Sequence, residues 1–247
     1  MRQRAAGLSC GVKVELDGHR LYAITAHGTK NKLFSAVDKG SLEKCTEFEL
    51  PVESDLQGVQ QDPDYVYVSA RDGKVFLIHK GTLDVVRVLQ QGESGIWYMH
   101  VDQRCLYTAS VDQLIRAYDK GSWDEPRVFR GHQANIQALA GDEDYLYSVA
   151  TDKVAMVWDK ATGDLIWEYR KLYRKGMMGL ACTGTHLLIT NGHGGLTMVA
   201  KGQWCAPPLR RPDIRGTRVV VDETHAFFAA GNDIWVLNLD DLGARRS

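Results

Sequence analysis

The sequence predicts an all-β fold, a six-bladed β-propeller of four-stranded antiparallel blades, and three observations predict it. A short string recurs six times, as Arg20-Leu-Tyr-Ala-Ile, Tyr65-Val-Tyr-Val-Ser, Cys105-Leu-Tyr-Thr-Ala, Tyr145-Leu-Tyr-Ser-Val, His186-Leu-Leu-Ile-Thr and His225-Ala-Phe-Phe-Ala. Its anchors, Tyr22, Tyr67, Tyr107, Tyr147, Leu187 and Phe227, are spaced by 45, 40, 40, 40 and 40 positions, a period that marks repeat architectures. Five residues ahead of the anchor stands Asp17, Asp62, Asp102, Asp142 or Asp222, with Cys182 as the one departure. Finally, apolar residues alternate with polar ones in short runs separated by turn formers, and no stretch holds a 3.6-residue period long enough for a helix. Four short strands cannot bury both faces alone, so neighbouring sheets must stack, and six copies close radially.

Along the chain, the first unit opens on a strand from Val12 to Leu16, and its extra length is expected in a loop around His27 to Lys32. The fourth unit is the clearest. Ile136 to Asp142, Tyr145 to Ala150, Val154 to Trp158 and Leu165 to Tyr169 read as its strands, joined by Asp142-Glu-Asp, Thr151-Asp-Lys and Asp159-Lys-Ala-Thr-Gly. Aspartate and glycine suit such turns because they supply local side-chain acceptors or tolerate positive φ. In the fifth unit Asn191-Gly-His-Gly-Gly195 occupies the same offset as Thr151 to Lys153 and reads as a turn, not an anion cradle. Leu209 to Arg215, after Pro207-Pro208, reads as an irregular outer strand. The sixth unit ends on a strand from Ile234 to Leu237, after which ten residues, Asn238 to Ser247, remain. Its outer strand is therefore in question. Either the N-terminal segment Arg2 to Ala6 pairs with Asp233 to Asn238 and closes the blade, or the blade stays open and takes a strand donated by a partner. A single domain over 1–247 is expected.

Lys and Arg total 30 against 31 Asp and Glu, a net charge of -1 and a pI near 6.7. No overall field recruits nucleic acid or an anionic membrane. The five cysteines, Cys10, Cys45, Cys105, Cys182 and Cys205, never form C-x-x-C, so reduced, mostly buried thiols are expected rather than a disulfide framework or zinc knuckle. The N-terminus lacks a continuous apolar run, and no stretch approaches the ~18 apolar residues of a spanning helix. A cytoplasmic protein without membrane insertion is the expectation.

Gly131-His132, Ile136, Leu139, Asp142, Leu146-Tyr-Ser148, Asp152, Val154 and Val157-Trp158-Asp159 together resemble a WD40 repeat. The resemblance implies a buried hydrogen-bonded tetrad of His132, Ser148, Asp152 and Trp158 with a structural role. An imidazole and an indole N–H taken out of water each need a partner, and a turn aspartate supplies a charge-assisted acceptor. Other units depart from the pattern: Val37-Asp38 and Tyr118-Asp119 stand in for the Trp-Asp pair, and His79-Lys80 loses it.

The resemblance further implies a protein–protein interaction scaffold that binds a peptide or partner domain on the rim carrying the loops between blades and the turns between second and third strands. Arg170, Lys171, Tyr173, Arg174 and Lys175 gather in one such loop, and Arg71, Trp97, Arg130 and Gln137 fall on the same rim. Cations around an aromatic suit an acidic or phosphorylated protein segment. Asp159 to Trp167 is similar to the repeat of quinoprotein propellers, but the pattern is not sustained, and Trp167 reads as core packing.

Catalytic constellations are missing from the sequence. The eight histidines lack H-x-x-x-H spacing, and no Gly-x-Ser-x-Gly elbow or phosphate loop occurs. His100 and Gln60 are channel-facing positions, and Glu15 is the one interior acid, which falls short of a metal-ligand set. No metal, cofactor or catalytic residue is assigned. The rival expectation is a propeller enzyme, a lactonase-like hydrolase or quinone-dependent oxidoreductase, working in the central channel.

Overall fold

The computed structural model describes residues 11–27, 30–170, 177–191, 195–214, 216, 218–230 and 233–242. Among them the chain is β throughout except for a 3-10 turn at Leu239–Leu242. It divides into two compact units, Met1–Pro126 and Arg127–Ser247.

In the first unit, sheet one holds β1 (Gly11–Leu16), β2 (Arg20–His27), β3 (Lys30–Asp38) and β4 (Lys44–Glu49). Sheet two holds β5 (Leu56–Gln61), β6 (Tyr65–Ala70), β7 (Lys74–His79) and β8 (Val85–Gln90). Sheet three contains β9 (Ile96–Val101), β10 (Cys105–Ser110), β11 (Ile115–Asp119) and, past Pro126, β12 (Arg127–Phe129). In the second unit, sheet four is β13 (Ile136–Gly141), β14 (Tyr145–Ala150), β15 (Ala155–Asp159) and β16 (Leu165–Tyr169). Sheet five is β17 (Met177–Cys182), β18 (His186–Asn191), β19 (Gly195–Ala200) and β20 (Leu209–Arg211). Sheet six has three strands, β21 (Arg218–Val221), β22 (His225–Ala230) and β23 (Asp233–Asn238). The N-terminal segment expected to pair with β23 lies outside the described residues.

Successive strands pair antiparallel, so each anchor is flanked by one residue of the first strand and one of the third: Glu15–Tyr22–Ala36, Gln60–Tyr67–Leu77, His100–Tyr107–Ala117 and Ala140–Tyr147–Val157. The core lies between sheets. Tyr22, Phe34 and Val59 pack in one cluster, Tyr67, Leu77 and Met99 in another, Tyr147, Val157 and Leu180 in a third, and Leu188, Val219 and Phe228 in a fourth.

Three expectations change. The fifth anchor is Leu188, not Leu187: Leu188 pairs with Ala181 and Met198, and Thr183 takes the place of the recurring aspartate, its hydroxyl accepting from the His186 N–H at 2.9 Å. The sequence alignment was one residue out because neither member of the polar signature survives there. The extra residues of the first unit lengthen the β2–β3 hairpin rather than a loop, since Tyr22 pairs with Ala36 whereas Tyr67 pairs with Leu77. The described thiols are not mostly buried either: Cys45 and Cys205 are exposed and Cys105 and Cys182 half-buried, none of the four in a disulfide. Cys45 lies on an outer strand and Cys205 in the turn ahead of another, where little covers them.

Candidate functional site

Sheet four holds a hydrogen-bonded relay. His132 precedes β13, Ser148 lies on β14, Asp152 in the following turn and Trp158 on β15. The Trp158 indole N–H donates to Ser148 Oγ at 2.8 Å, Ser148 Oγ lies 2.7 Å from His132 Nε2, and His132 Nδ1 lies 2.9 Å from Asp152 Oδ2. The carboxylate only accepts, so the imidazole proton sits on Nδ1 and Ser148 donates to Nε2. Asp152 also accepts from the backbone N–H groups of Gln133 and Val154. Burial alone would raise its carboxyl, but the bonds from His132 and these amides outweigh it and hold the pKa below the usual range. Trp158 is 1% exposed and His132 4%, and Phe129 meets the indole edge-on at 5.8 Å.

Sheet three carries the same device in other residues, which sequence reasoning missed. Thr108, Asp112 and Tyr118 stand 40 positions before Ser148, Asp152 and Trp158. The amide of Gln91 replaces the imidazole: Gln91 Oε1 accepts from Thr108 at 2.6 Å and from the Tyr118 hydroxyl at 3.3 Å, and its Nε2 donates to Ser110 Oγ. Asp112, without a histidine, pairs with Arg116 at 2.7 Å. The offset of 40 was the available signal.

A second polar contact links successive sheets and explains the recurring aspartate. Asp62 Oδ1 accepts from the N–H groups of Asp64 and Tyr65, capping the first turn. Its Oδ2 accepts from the Tyr67 hydroxyl at 2.6 Å and pairs with Lys120 of the next sheet at 2.5 Å. Asp17, Tyr22 and Lys80 repeat it at 2.8 and 3.0 Å, as do Asp142, Tyr147 and Lys201 at 2.6 and 2.5 Å. Each ammonium also sits 5.5 to 5.9 Å from the tyrosine ring centroid. Burial works to raise Asp62 and Asp142, but the lysine, tyrosine and turn amides hold both below the ordinary carboxylate range. Burial and Asp17 push Tyr22 up to about 12. Large residues at positive φ then plug the same seam: Leu83 (φ 62) packs on the sheet-one core, and Trp123 (φ 56) lies 6.1 Å from Tyr67. Trp167 stacks on Tyr169 at 5.7 Å and borders Trp204, a packing role.

In the first unit, Arg71 and Trp97 come together. The guanidinium carbon lies 5.9 Å from the indole centroid, and Arg71 Nη1 lies 3.9 Å from Asp55 Oδ2. Arg71 is 53% exposed in its side chain and Trp97 41% exposed. Their backbone is fixed. Arg71 N–H donates to Asp55 O and Gln91 N–H to Gly73 O, and a Cβ on Gly73 (φ +81) would meet Gly92 O at 2.4 Å. In the second unit Arg130 is exposed and Gln137 half-buried. Arg170 is exposed but clamped by Glu168, Nε to Oε1 at 2.6 Å and Nη2 to Oε2 at 2.8 Å. Lys171, Tyr173, Arg174 and Lys175 lie outside the described residues, as does the core of the Asn191 to Gly195 turn.

At the interior positions Gln60 Nε2 donates to Glu15 Oε1 at 2.8 Å, and burial raises the Glu15 carboxyl. His100 stacks on Tyr107 at 5.9 Å. Among the described residues no three His, Cys, Asp or Glu gather as a metal-ligand set, and no helix is long and apolar enough to cross a membrane.

Residues 123–159 match the family model "WD domain, G-beta repeat". No curated protein matches the chain in sequence. Among solved structures, the chain is similar to the computationally designed Ika8 protein, with a TM-score of 0.78, 17% identity, and coverage of 92% of this chain and 70% of that one. BamB from Moraxella catarrhalis is similar at a TM-score of 0.70 and 16% identity, over 90% of this chain and 70% of that one. Both are propellers, and the chain has the propeller fold with one recognisable WD40 repeat.

Proposed function

We propose that this chain is a non-catalytic protein–protein interaction module that docks an acidic or phosphorylated segment of a partner on its loop rim. The observation that carries this reading is the Arg71–Trp97 pair. An aromatic face and a guanidinium are exposed side by side on a backbone pinned by close glycine packing, so little ordering entropy is lost when a ligand arrives. Arg71 touches Asp55 only at 3.9 Å, and its donor fork suits a carboxylate or phosphate with better geometry. Trp and Arg are also the favoured anchors of interfaces. Arg170 is a weaker element, because a ligand must displace the bidentate Glu168. The WD40 repeat and the propeller fold support the same class of function. We place the protein in the cytoplasm, where exposed Cys45 and Cys205 would stay reduced.

The test is a binding titration with acidic, phosphorylated, neutral and basic peptides against the wild-type chain, Arg71→Glu and Trp97→Ala, with Arg87→Glu on the outer strand as control. Acidic or phosphorylated peptides should bind the wild type and the control. Arg71→Glu should weaken them about tenfold or more, ~1.4 kcal/mol, at an unchanged melting temperature. Equal binding to Arg71→Glu, or no preference over basic peptides, would refute the reading.

A further inference from the structure

The first strands of the first unit carry side chains that the fold itself does not require. Opposite or at the level of the anchors they present Glu15, Gln60 and His100, and two residues away on the same faces Lys13, Gly58 and Tyr98. The same places in sheets four and five hold Ala140 and Ala181, and Ala138 and Gly179. Alanine and glycine therefore satisfy these positions where packing alone decides. Lys13, Glu15, Gln60, Tyr98 and His100 are nonetheless half-buried, and burial penalises the charged form of Glu15. Polar side chains that the architecture does not need, held where their charge is disfavoured, mark a site rather than a core.

The set converges within the one unit, because β1 packs beside β5 and β5 beside β9. Gln60 Nε2 donates to Glu15 Oε1 at 2.8 Å, and among the described residues no cation lies within ion-pair distance of that carboxylate. Lys13 turns elsewhere. Its Nζ lies 5.3 Å from the centroid of the Tyr98 ring, reaching from sheet one to sheet three past a place where sheet two has only Gly58. Lys13 and Glu15 are thus neighbours on one face of β1, about 7 Å apart along the strand. One charge rests on an aromatic face and the other on an amide, and the two do not pair with each other.

We propose that these three strands bind a free α-amino acid, its carboxylate on Lys13 and its ammonium on Glu15. The spacing of opposite charges selects a zwitterion. A simple anion would meet Glu15 as a like charge, and a simple cation would meet Lys13. A molecule with both charges on neighbouring atoms satisfies each, and its ammonium offsets the desolvation of the Glu15 carboxylate. Gln60 positions Glu15 through its amide donor and offers its own oxygen as a further acceptor for the ammonium. Tyr98 orients the Lys13 ammonium through its ring. The site uses neither Arg71 nor Trp97, so it stands apart from peptide docking.

Isothermal titration calorimetry on the full chain tests this with each of the common L-amino acids at concentrations up to about 10 mM. The best binder is then compared with its α-amide, which lacks the carboxylate, and its N-acetyl derivative, which lacks the ammonium. At least one amino acid should bind, and each derivative should bind about tenfold or more weakly. Glu15→Gln keeps an acceptor for Gln60 and removes the charge, and Lys13→Met keeps most of the stem and removes the ammonium. Each variant should weaken the amino acid by about tenfold or more at an unchanged melting temperature of the free protein. Arg71→Glu should bind it as the wild type does, whatever its effect on peptides. Binding by none of the amino acids, a charge-stripped derivative that binds as well as its parent, or wild-type affinity in either variant would overturn the proposal.

Discussion

Ser148→Ala isolates the relay in sheet four. The serine hydroxyl is both the acceptor for the Trp158 indole N–H at 2.8 Å and the partner of His132 Nε2 at 2.7 Å. Both rings are nearly inaccessible to water, so neither recovers a solvent partner when the hydroxyl is removed. Each orphaned group costs about 1–3 kcal/mol, giving a loss of about 2–6 kcal/mol for a change that deletes one oxygen. Trp158→Phe removes the indole donor, so Ser148→Ala should cost about 1–3 kcal/mol less in that background than in the wild type. The assay is a double-mutant cycle of urea midpoints at constant slope, followed by near-ultraviolet circular dichroism. If the two substitutions add to within about 0.5 kcal/mol, the serine and the indole do not share a bond, and the relay is wrong.

Two further predictions concern the turn glycines and the inter-sheet contacts. Gly73→Ala should destabilise by more than Gly92→Ala. Both sit at positive φ, but the added Cβ meets Gly92 O at 2.4 Å in the first and nothing within 4 Å in the second. The second should cost only the local backbone strain of about 1–2 kcal/mol, and equal melting points would deny the close approach. Asp62 and Asp142 titrate lower in the folded chain than their ordinary ~3.9, so the stability they contribute is present above that pH and is lost as the pH falls through their lower folded values. Lys120→Met removes one cause of the Asp62 shift, so its stability deficit in urea titrations should shrink below about pH 4; a deficit constant with pH would show that the pair is not coupled.

The fold was legible because its signal is periodic. Tyr67, Tyr107 and Tyr147 recur at 40 residues and land at equivalent places on the second strands, and the four strands of sheet four differ from the predicted bounds by a residue at most. Legibility failed where chemistry was substituted at a conserved place. Leu188 was read as Leu187 because Thr183 caps its turn with a hydroxyl in place of a carboxylate. Gln91 escaped notice because an amide on a neighbouring register position can do what an imidazole does. Trp123 and Leu83 were invisible as seam plugs because glycine and asparagine are the residues expected at positive φ. Arg71 and Trp97 were both named from the sequence as rim residues, but that the guanidinium lies over the indole depends on how two loops meet, and no local pattern encodes it.

These substitutions also explain why family likeness is confined to residues 123–159. A buried polar set is stable only when complete, because each missing partner leaves a desolvated donor or acceptor behind. Divergence therefore passes through wholesale replacement. Sheet four keeps histidine, serine, aspartate and tryptophan; sheet three keeps the places with glutamine, threonine and tyrosine and turns its aspartate to Arg116. Sheets two and five go fully apolar at the serine and tryptophan places, with Val68 and Ile78 in one and Ile189 and Val199 in the other, each at most 2% exposed. A sequence comparison that scores residue identity reads the first solution and loses the other two, although all three fill the same place between the same strands. Coordinated loss is what the physics of burial favours, and in the inter-sheet contact it is seen where Thr183 and Leu188 have replaced aspartate and tyrosine together.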